Sequence, residues 1–496
     1  MDDYILTLDL GTTNIKAGIY SSTLDEVAVS YTPVQYITSD NTVEFDVDDY
    51  WDSCKKVIMS VTADSGIDPG RIVDISLTGQ AESLIVIDGK NRPLRNGISW
   101  MDNRSVKECE LLKREFKQRE GYRVTGQPDI IPTWPITKIL WLRENESDVF
   151  RKAGKYLLLK DYIIYRLTGN LFGECTIYNF SYYFDVLNKK YWDEILEFVG
   201  VKKEQLPDLI EPGSSAGGVT NRVSNELGFL ESVTVNAGSL DHFSGMIGSG
   251  NVREGVVSET TGTVLAIATM TRKSLVSDEY MISRHYGVLK NTYILMPVCE
   301  SGGVSLEWFK NNFYPDRSFK DINREIETSI NKSNDIIFLP YLTGTNSPEY
   351  EINARGVFYG LNITHTKADL ARAVMEGVAY LLKKNIIFLE NLDVKTENLI
   401  SIGGGSKSSV WNQIKADITE KEIMVPEYEE AISLGAAILT AVEKGYFKSI
   451  EEAVKKHVRM KKVYKPVIKD FYREGYGKFI DIYERLTPVF RGERMR

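Results

Sequence analysis

Residues Tyr4–Tyr20, YILTLDLGTTNIKAGIY, decide how the rest of the chain is read. Ile5, Leu6 and Leu8 form an apolar run that reaches Asp9. Leu10-Gly11-Thr12-Thr13-Asn14 follows, and Ile15, Ala17 and Ile19 then alternate with Lys16, Gly18 and Tyr20. Two period-2 segments joined by a Gly/Thr/Asn turn predict a β-hairpin. Gly11 lets the backbone come close to a bound group, and Thr12, Thr13 and Asn14 add hydroxyl and amide donors beside backbone N–H groups. Asp9 brings an acceptor-only carboxylate to the same place. Donors with one carboxylate suit a phosphate chain and its magnesium ion. Taken alone, the stretch reads equally well as an ordinary hairpin with a polar turn.

The device recurs in the second half, where Val256–Glu259, the turn Thr260–Thr263 and Val264–Ala268 repeat strand, Gly/Thr turn and strand. Working outward, Glu26–Tyr36 extends the first sheet. Asp48–Ser65 places Trp51, Cys54, Val57, Ile58 and Val61 on one helical face. Ile72–Leu77 is a strand running into Gln80-Ala81-Glu82, and Ser105–Arg119 and Lys155–Thr168 read as helices. Val233–Asn236 is a strand that delivers Ala237–Asp241. Lys367–Leu389 is a long buried helix, Leu399–Ile402 a strand entering Gly403-Gly404-Gly405, and Ala431–Lys444 a helix of small residues. Alternating strands and helices predict an α/β protein. A glycine-spaced seam at Gly245–Gly250 suggests domains at 1–249 and 250–496, and 496 residues leave room for both.

The net charge of −9, from 60 basic and 69 acidic residues, argues against a nucleic-acid partner. The basic run Arg459–Lys465 reads as a solvated helix face. No apolar stretch approaches the ~20 residues of a membrane span, and Asp2 and Asp3 lead into a strand without a secretory leader pattern. Cys54, Cys109, Cys175 and Cys299 are scattered, so free buried thiols and a cytoplasmic location are expected. Neither GxxxxGK[ST] nor GxGxxG occurs, which excludes a P-loop and disfavours a dinucleotide fold.

Five ordered motifs carry a resemblance. Leu8–Thr13, Thr133–Asn145 (TWPITKILWLREN), Thr261–Thr263, Gly356–Glu376 (GVFYGLNITHTKADLARAVME) and Gly403–Ile418 (GGGSKSSVWNQIKADI) together resemble the FGGY carbohydrate kinases of the actin–hexokinase–Hsp70 superfamily. The resemblance implies two actin-like (ribonuclease H-like) α/β domains with an ATP cleft between them, ATP and Mg²⁺ as cofactors, and a small sugar or polyol as the acceptor. Dimers among such kinases make a homodimer the implied assembly. Asp241 matches the catalytic aspartate; by residue type alone it reads as a helix cap. Asp9 resembles the carboxylate that orients magnesium, with Asp241 beside the same ion. Gly11, Thr12, Thr13, Asn14 and Lys16 match the first phosphate turn, Gly262 and Thr263 the second, and Gly404, Gly405 and Ser409 the nucleoside segment.

Residue types make Gln80, Glu82, Trp100, Asp102 and Arg104 candidates for the acceptor site, with Asp102 and Arg104 reading equally as a surface ion pair. Glycerol kinases carry Arg-Glu where this chain has Ala81-Glu82, and xylulokinases carry Met-His. After the catalytic aspartate this chain has His242, against Gln or Asn in those groups. A ketopentose such as xylulose leads, with gluconate, other ketoses and glycerol behind. The rivals are a catalytically silent sugar sensor, and an actin- or Hsp70-like ATPase for which no partner-binding module is expected.

Overall fold

The hairpin read from Tyr4–Tyr20 stands at the centre of a six-stranded sheet in a computed structural model that describes residues 3–277, 281–328, 330, 332–428 and 430–492. The chain packs as two compact units: Met1–Val252 with Arg284–Tyr293 and Glu430–His457, and Arg253–Ser283 with Ile294–Glu429 and Val458–Arg496.

In the first unit, β1 (Tyr4–Leu10) pairs antiparallel with β2 (Asn14–Ser21), which pairs with β3 (Glu26–Pro33). The helix predicted at Asp48–Ser65 is α1 (Val47–Ser65). It is capped by the Asp46 carboxylate, which accepts from the Asp48 and Asp49 N–H groups, and it buries the predicted stripe. β4 (Ile72–Gly79) lies parallel to β1 on its other side, and β5 (Ser215–Gly218) and β6 (Thr234–Leu240) complete the order β5-β6-β4-β1-β2-β3. With a parallel neighbour and both faces covered, β1 buries six of its seven residues, so its apolar run needs no alternation. β6 leads directly into α2 (Asp241–Ser249).

The second unit repeats the plan. β7 (Gly255–Thr261) and β8 (Leu265–Thr271) form an antiparallel hairpin, and α3 (Lys367–Asn391) runs through the core behind it. β9 (Thr396–Ile402) is parallel to β7, α4 (Ser409–Thr419) follows, and β10 (Glu422–Pro426) is parallel to β9. The chain then contributes α5 (Ala431–Glu443) to the first unit and returns as β11 (Met460–Tyr464), an antiparallel edge strand on β10. Each sheet therefore sets a hairpin beside two parallel strands and ends in an antiparallel edge.

Three expectations are corrected. Arg459–Lys465 is no helix face: it holds β11, whose exposed Lys461 and Lys462 charge a sheet edge against further pairing. Lys155–Leu158 is a strand paired with Leu84–Ile87, and the helix begins only at Leu159, where the Asp161 carboxylate accepts from the Leu158 N–H at 2.8 Å. Ser105–Arg119 breaks at Phe116, whose ring leaves the helix to meet Trp192 and Phe198 edge-on at 5.1 and 5.6 Å. A cut at residue 250 follows chain order, whereas by packing Glu430–His457 goes with the first unit.

Candidate active site

The residues singled out from the sequence fall into two groups, one on each unit. On the first, Asp9, next to last in β1, lies opposite Lys16 of β2. Asp9 is 6% exposed, and its Oδ1 is buried without a hydrogen-bond partner. Burial first, then the Asp241 carboxylate, pushes its pKa up to about 7 against the pull of Lys16. Lys16 in turn pairs with Glu430 at 2.8 Å. Gly11, Thr12, Thr13 and Asn14 form the turn itself. The Thr13 carbonyl accepts from Val34 N–H, and Thr12 Oγ1 accepts from the indole of Trp100 at 3.0 Å. Thr12 thereby ties the Gly11–Asn14 turn to Trp100.

Gln80 is buried under the turn. Its Oε1 accepts from Ser83, and its amide donates to the Gly11 carbonyl at 3.4 Å. Glu82 is half-buried; desolvation and Asp241 raise its pKa while Lys138 and Thr133 lower it. Lys138 is fully buried, held between the carbonyls of Ser99 (2.8 Å) and Glu82 (3.3 Å), and desolvation lowers its pKa. Trp100 stays 37% exposed although its N–H groups are bonded to Thr12 and Ser83. Asp102 and Arg104 form no surface pair. Asp102 is wholly buried and accepts from Val43 N–H and from Arg104, whose guanidinium also pairs with Glu44 and lies over Trp141. That pair braces the Trp100 loop, and its charges are spent on each other.

Asp241 opens α2 with His242 exposed beside it. The helix cap expected from residue type is not its role: no side chain caps α2, and among the described residues Asp241 Oδ1 accepts from the adjoining His242 N–H alone. Its placement comes from β6, where the register against β4 slips between Asn236 and Ser239. Gly238 adopts φ +58° there with its N–H on Asn236 Oδ1, and a Cβ would sit 1.6 Å from the Leu77 carbonyl oxygen. A bulge of this kind re-aims the residues that follow it. α2 is then clamped by α5 at backbone contact, since a Cβ on Gly248 or Gly435 would lie 1.8 Å from a carbonyl oxygen of the other helix. That contact explains why Ala431–Lys444 is built of small residues.

On the second unit, the turn Gly262–Thr263 is braced by the helix Gly303–Phe313, whose Gly302 and Gly303 N–H groups donate to the Thr263 and Gly262 carbonyls. Gly262, Thr263, Gly404, Gly405 and Ser409 all line one cavity of about 890 Å³, with Trp411 at its wall and the helix Phe319–Glu327 along one side. Gly405 is there for packing, because its Cβ would meet Thr261 at 2.6 Å. Gly262 faces open space, and a Cβ on Gly404 would meet only the Thr261 carbonyl oxygen at an ordinary 3.9 Å, so both leave bare backbone that suits close approach of a phosphate or a nucleoside. Beneath the turn, Lys415 and Glu259 form a dry ion pair at 2.6 Å. Lys415 also donates to Thr261 Oγ1 at 2.9 Å, and Ser401 donates to Glu259.

The sequence reading missed Lys138, although it lies inside the quoted motif TWPITKILW, and it missed Glu259 and Lys415. Each is a buried charge whose partner is remote in sequence. Among the described residues, no group of three or more His, Cys, Asp or Glu side chains is arranged to hold a metal ion. The orphaned Asp9 oxygen nonetheless fits one oxygen ligand of a magnesium ion that takes its remaining ligands from phosphates and water.

These two groups, on two sheets of duplicated plan, define a sugar phosphotransferase of the actin-like ATPase fold. The chain belongs to the FGGY family of carbohydrate kinases: the model of the family's N-terminal domain matches residues 4–248 and that of its C-terminal domain residues 256–443. Xylulose kinase from Staphylococcus epidermidis is 30% identical over 491 residues, 98% of each chain. The crystal structure of ligand-bound xylulose kinase from Lactobacillus acidophilus superposes with a TM-score of 0.91 at 28% identity, covering 99% of both chains. That of gluconate kinase from the same organism gives 0.91 and 28%, over 99% of this chain and all of the other. Overall similarity therefore does not separate a ketopentose from an aldonate.

Proposed function

We propose that the chain transfers the γ-phosphoryl group of ATP to a hydroxyl of a small, uncharged, open-chain sugar, with a ketopentose such as xylulose as the leading acceptor. The observation that carries this reading is the convergence of carboxylates: Asp241 raises the pKa of both Asp9 and Glu82. The cations around them are committed, Lys16 to Glu430, Lys138 to Glu82 and two carbonyls, and Arg104 to Asp102 and Glu44. A neutral polyol meets no charge penalty at such a place, whereas the carboxylate of an aldonate meets Coulomb repulsion.

In this reading Gln80, Glu82, the Trp100 face and His242 orient the acceptor, and the Asp102–Arg104 pair holds the Trp100 loop in place. Asp241 accepts the hydroxyl proton as the oxygen bonds to the γ-phosphorus and the bond to the β-phosphate oxygen breaks, releasing ADP. Donors of the Gly11–Asn14 and Gly262–Thr263 turns bind the phosphates while Lys16 stays paired with Glu430, and the cavity bounded by Gly404, Gly405 and Ser409 takes the nucleoside. Asp9 and Asp241 would hold magnesium, which when bound supplies charge neutralisation of the phosphate chain. No helix among the described residues is long and apolar enough to cross a membrane, and the four cysteines are buried and unpaired. With ATP as donor, a cytoplasmic location fits, and a homodimer is the expected assembly, to be checked by light scattering.

A coupled ADP-release screen over pentuloses, tetruloses, polyols and aldonates tests the reading. A ketopentose should give the highest kcat/KM and gluconate no more than a trace. Gluconate as the best acceptor, or no turnover with any acceptor, would overturn it.

A further inference from the structure

The backbone that presents Asp241 is tied down by a network of buried side chains. The N–H of Leu240, the residue before Asp241, donates to Thr176 Oγ1 at 2.8 Å. Thr176 Oγ1 donates onward to Glu174 Oε2 at 2.7 Å, and the Thr176 N–H donates to Glu174 Oε1 at 2.5 Å. Glu174 Oε2 also takes Lys160 Nζ at 2.8 Å, and Lys160, Glu174 and Thr176 are all 0% exposed. A threonine whose hydroxyl both accepts from the backbone and donates to a carboxylate has its rotamer fixed from two sides. The dry ion pair fixes that carboxylate in turn. On the other flank, Ser239 and Ser244 share a 2.7 Å hydrogen bond, and Thr78 donates to Ser244 at 3.0 Å.

We propose that Thr176 is a positioning residue for the catalytic base: its hydroxyl, locked by the buried Glu174–Lys160 pair, holds the strand end after the Gly238 bulge so that Asp241 meets the acceptor hydroxyl. The inference rests on Asp241 being the base. The register of β6 against β4 shifts between Asn236 and Ser239, pairing resumes at Ser239 and Leu240, and the Leu240 N–H bond to Thr176 ties the residue that directly precedes Asp241. Without the hydroxyl, the Leu240 N–H loses its acceptor, and the strand end can move without unfolding the sheet. An offset of about 1 Å at a reacting group costs on the order of a hundredfold in rate.

The test compares Thr176→Val, which keeps shape and removes the hydroxyl, with Thr176→Ser, which keeps the hydroxyl. Thr62→Val, which removes a buried threonine hydroxyl bonded within α1, is the control. Thr176→Val should lower kcat by about tenfold or more while the KM values for acceptor and ATP stay within about twofold, and Thr176→Ser should restore kcat to within about twofold of the parent. If the valine variant does not fold, Thr176→Ala against Thr176→Ser makes the same comparison. A folded Val or Ala variant with kcat near the parent value would overturn the proposal. So would a serine variant no better than valine, or an equal loss in Thr62→Val. Asp241→Asn is assayed alongside: near-normal turnover there removes the base assignment itself, a failure distinct from that of the pin.

Discussion

His285 lies in the Arg284–Tyr293 segment that packs into the first unit, and its burial sets a measurable acid sensitivity. The ring is stacked on Phe180 at 4.7 Å and meets Phe243 edge-on at 5.7 Å, two residues beyond Asp241. Nδ1 faces the Gln127 amide nitrogen at 3.4 Å, and Nε2 is buried without a partner. Burial first, then Arg284 and His242, lowers its pKa from 6.5 to about 3. Between those values the unfolded chain takes up a proton that the folded ring refuses, so stability falls as pH drops from 6.5 towards 3. From these two pKa values the loss attached to this one ring is about 2 kcal/mol at pH 5 and about 3 kcal/mol at pH 4. His285→Phe keeps an aromatic ring between Phe180 and Phe243 and removes the titration. Urea unfolding of parent and variant at pH 7, 6, 5 and 4 gives the difference directly, since all other titrations cancel. The variant should gain on the parent by those amounts as pH falls, whatever its offset at pH 7. A difference that stays constant across the series would refute the reasoning.

Asp9 has the opposite sign. Its folded pKa of about 7 against 3.8 means that the folded protein holds a proton the unfolded chain has released, so stability falls as pH rises from about 4 to 7. Asp9→Asn should therefore stabilise the unliganded protein by up to about 4 kcal/mol at pH 8 and by little at pH 4, while losing most turnover; urea midpoints and kcat check the two halves. Lys415→Met strands Glu259 without its cation and should cost about 3–5 kcal/mol in urea unfolding, most of it recovered in the double variant Lys415→Met/Glu259→Gln. Nucleotide affinity by calorimetry should stay weakened in that double variant, because Thr261 still lacks its lysine donor.

Both hairpins were legible because strand alternation and Gly/Thr turns are local signals; the small residues of α5 were visible as well, but the close crossing with α2 that requires them was not. The misreadings came where a partner remote in sequence decided the outcome. Lys155–Leu158 has helix-compatible spacing but finds a strand partner in Leu84–Ile87, and the basic run at Arg459 finds an edge beside β10. The residues proposed to hold phosphate and nucleoside declared themselves through glycine. Even so, sequence could not separate Gly405, fixed by packing on Thr261, from Gly262 and Gly404, where a Cβ would meet no close obstacle. Asp102 and Arg104 looked like ligands by type, yet their charges satisfy each other inside the protein. Lys138, Thr176, Glu174 and Lys415 were invisible for a common reason: each works through a hydrogen bond or ion pair that only the folded chain brings together.

The central claim is that Asp241 removes the acceptor proton, and Asp241→Asn tests it most directly when turnover and acceptor binding are measured on the same preparation. The amide keeps the shape and cannot take the proton. Phosphoryl transfer to the preferred acceptor should fall by at least about a thousandfold, while acceptor affinity by calorimetry stays within about threefold of the parent. Turnover within tenfold of the parent, with binding intact, would contradict it.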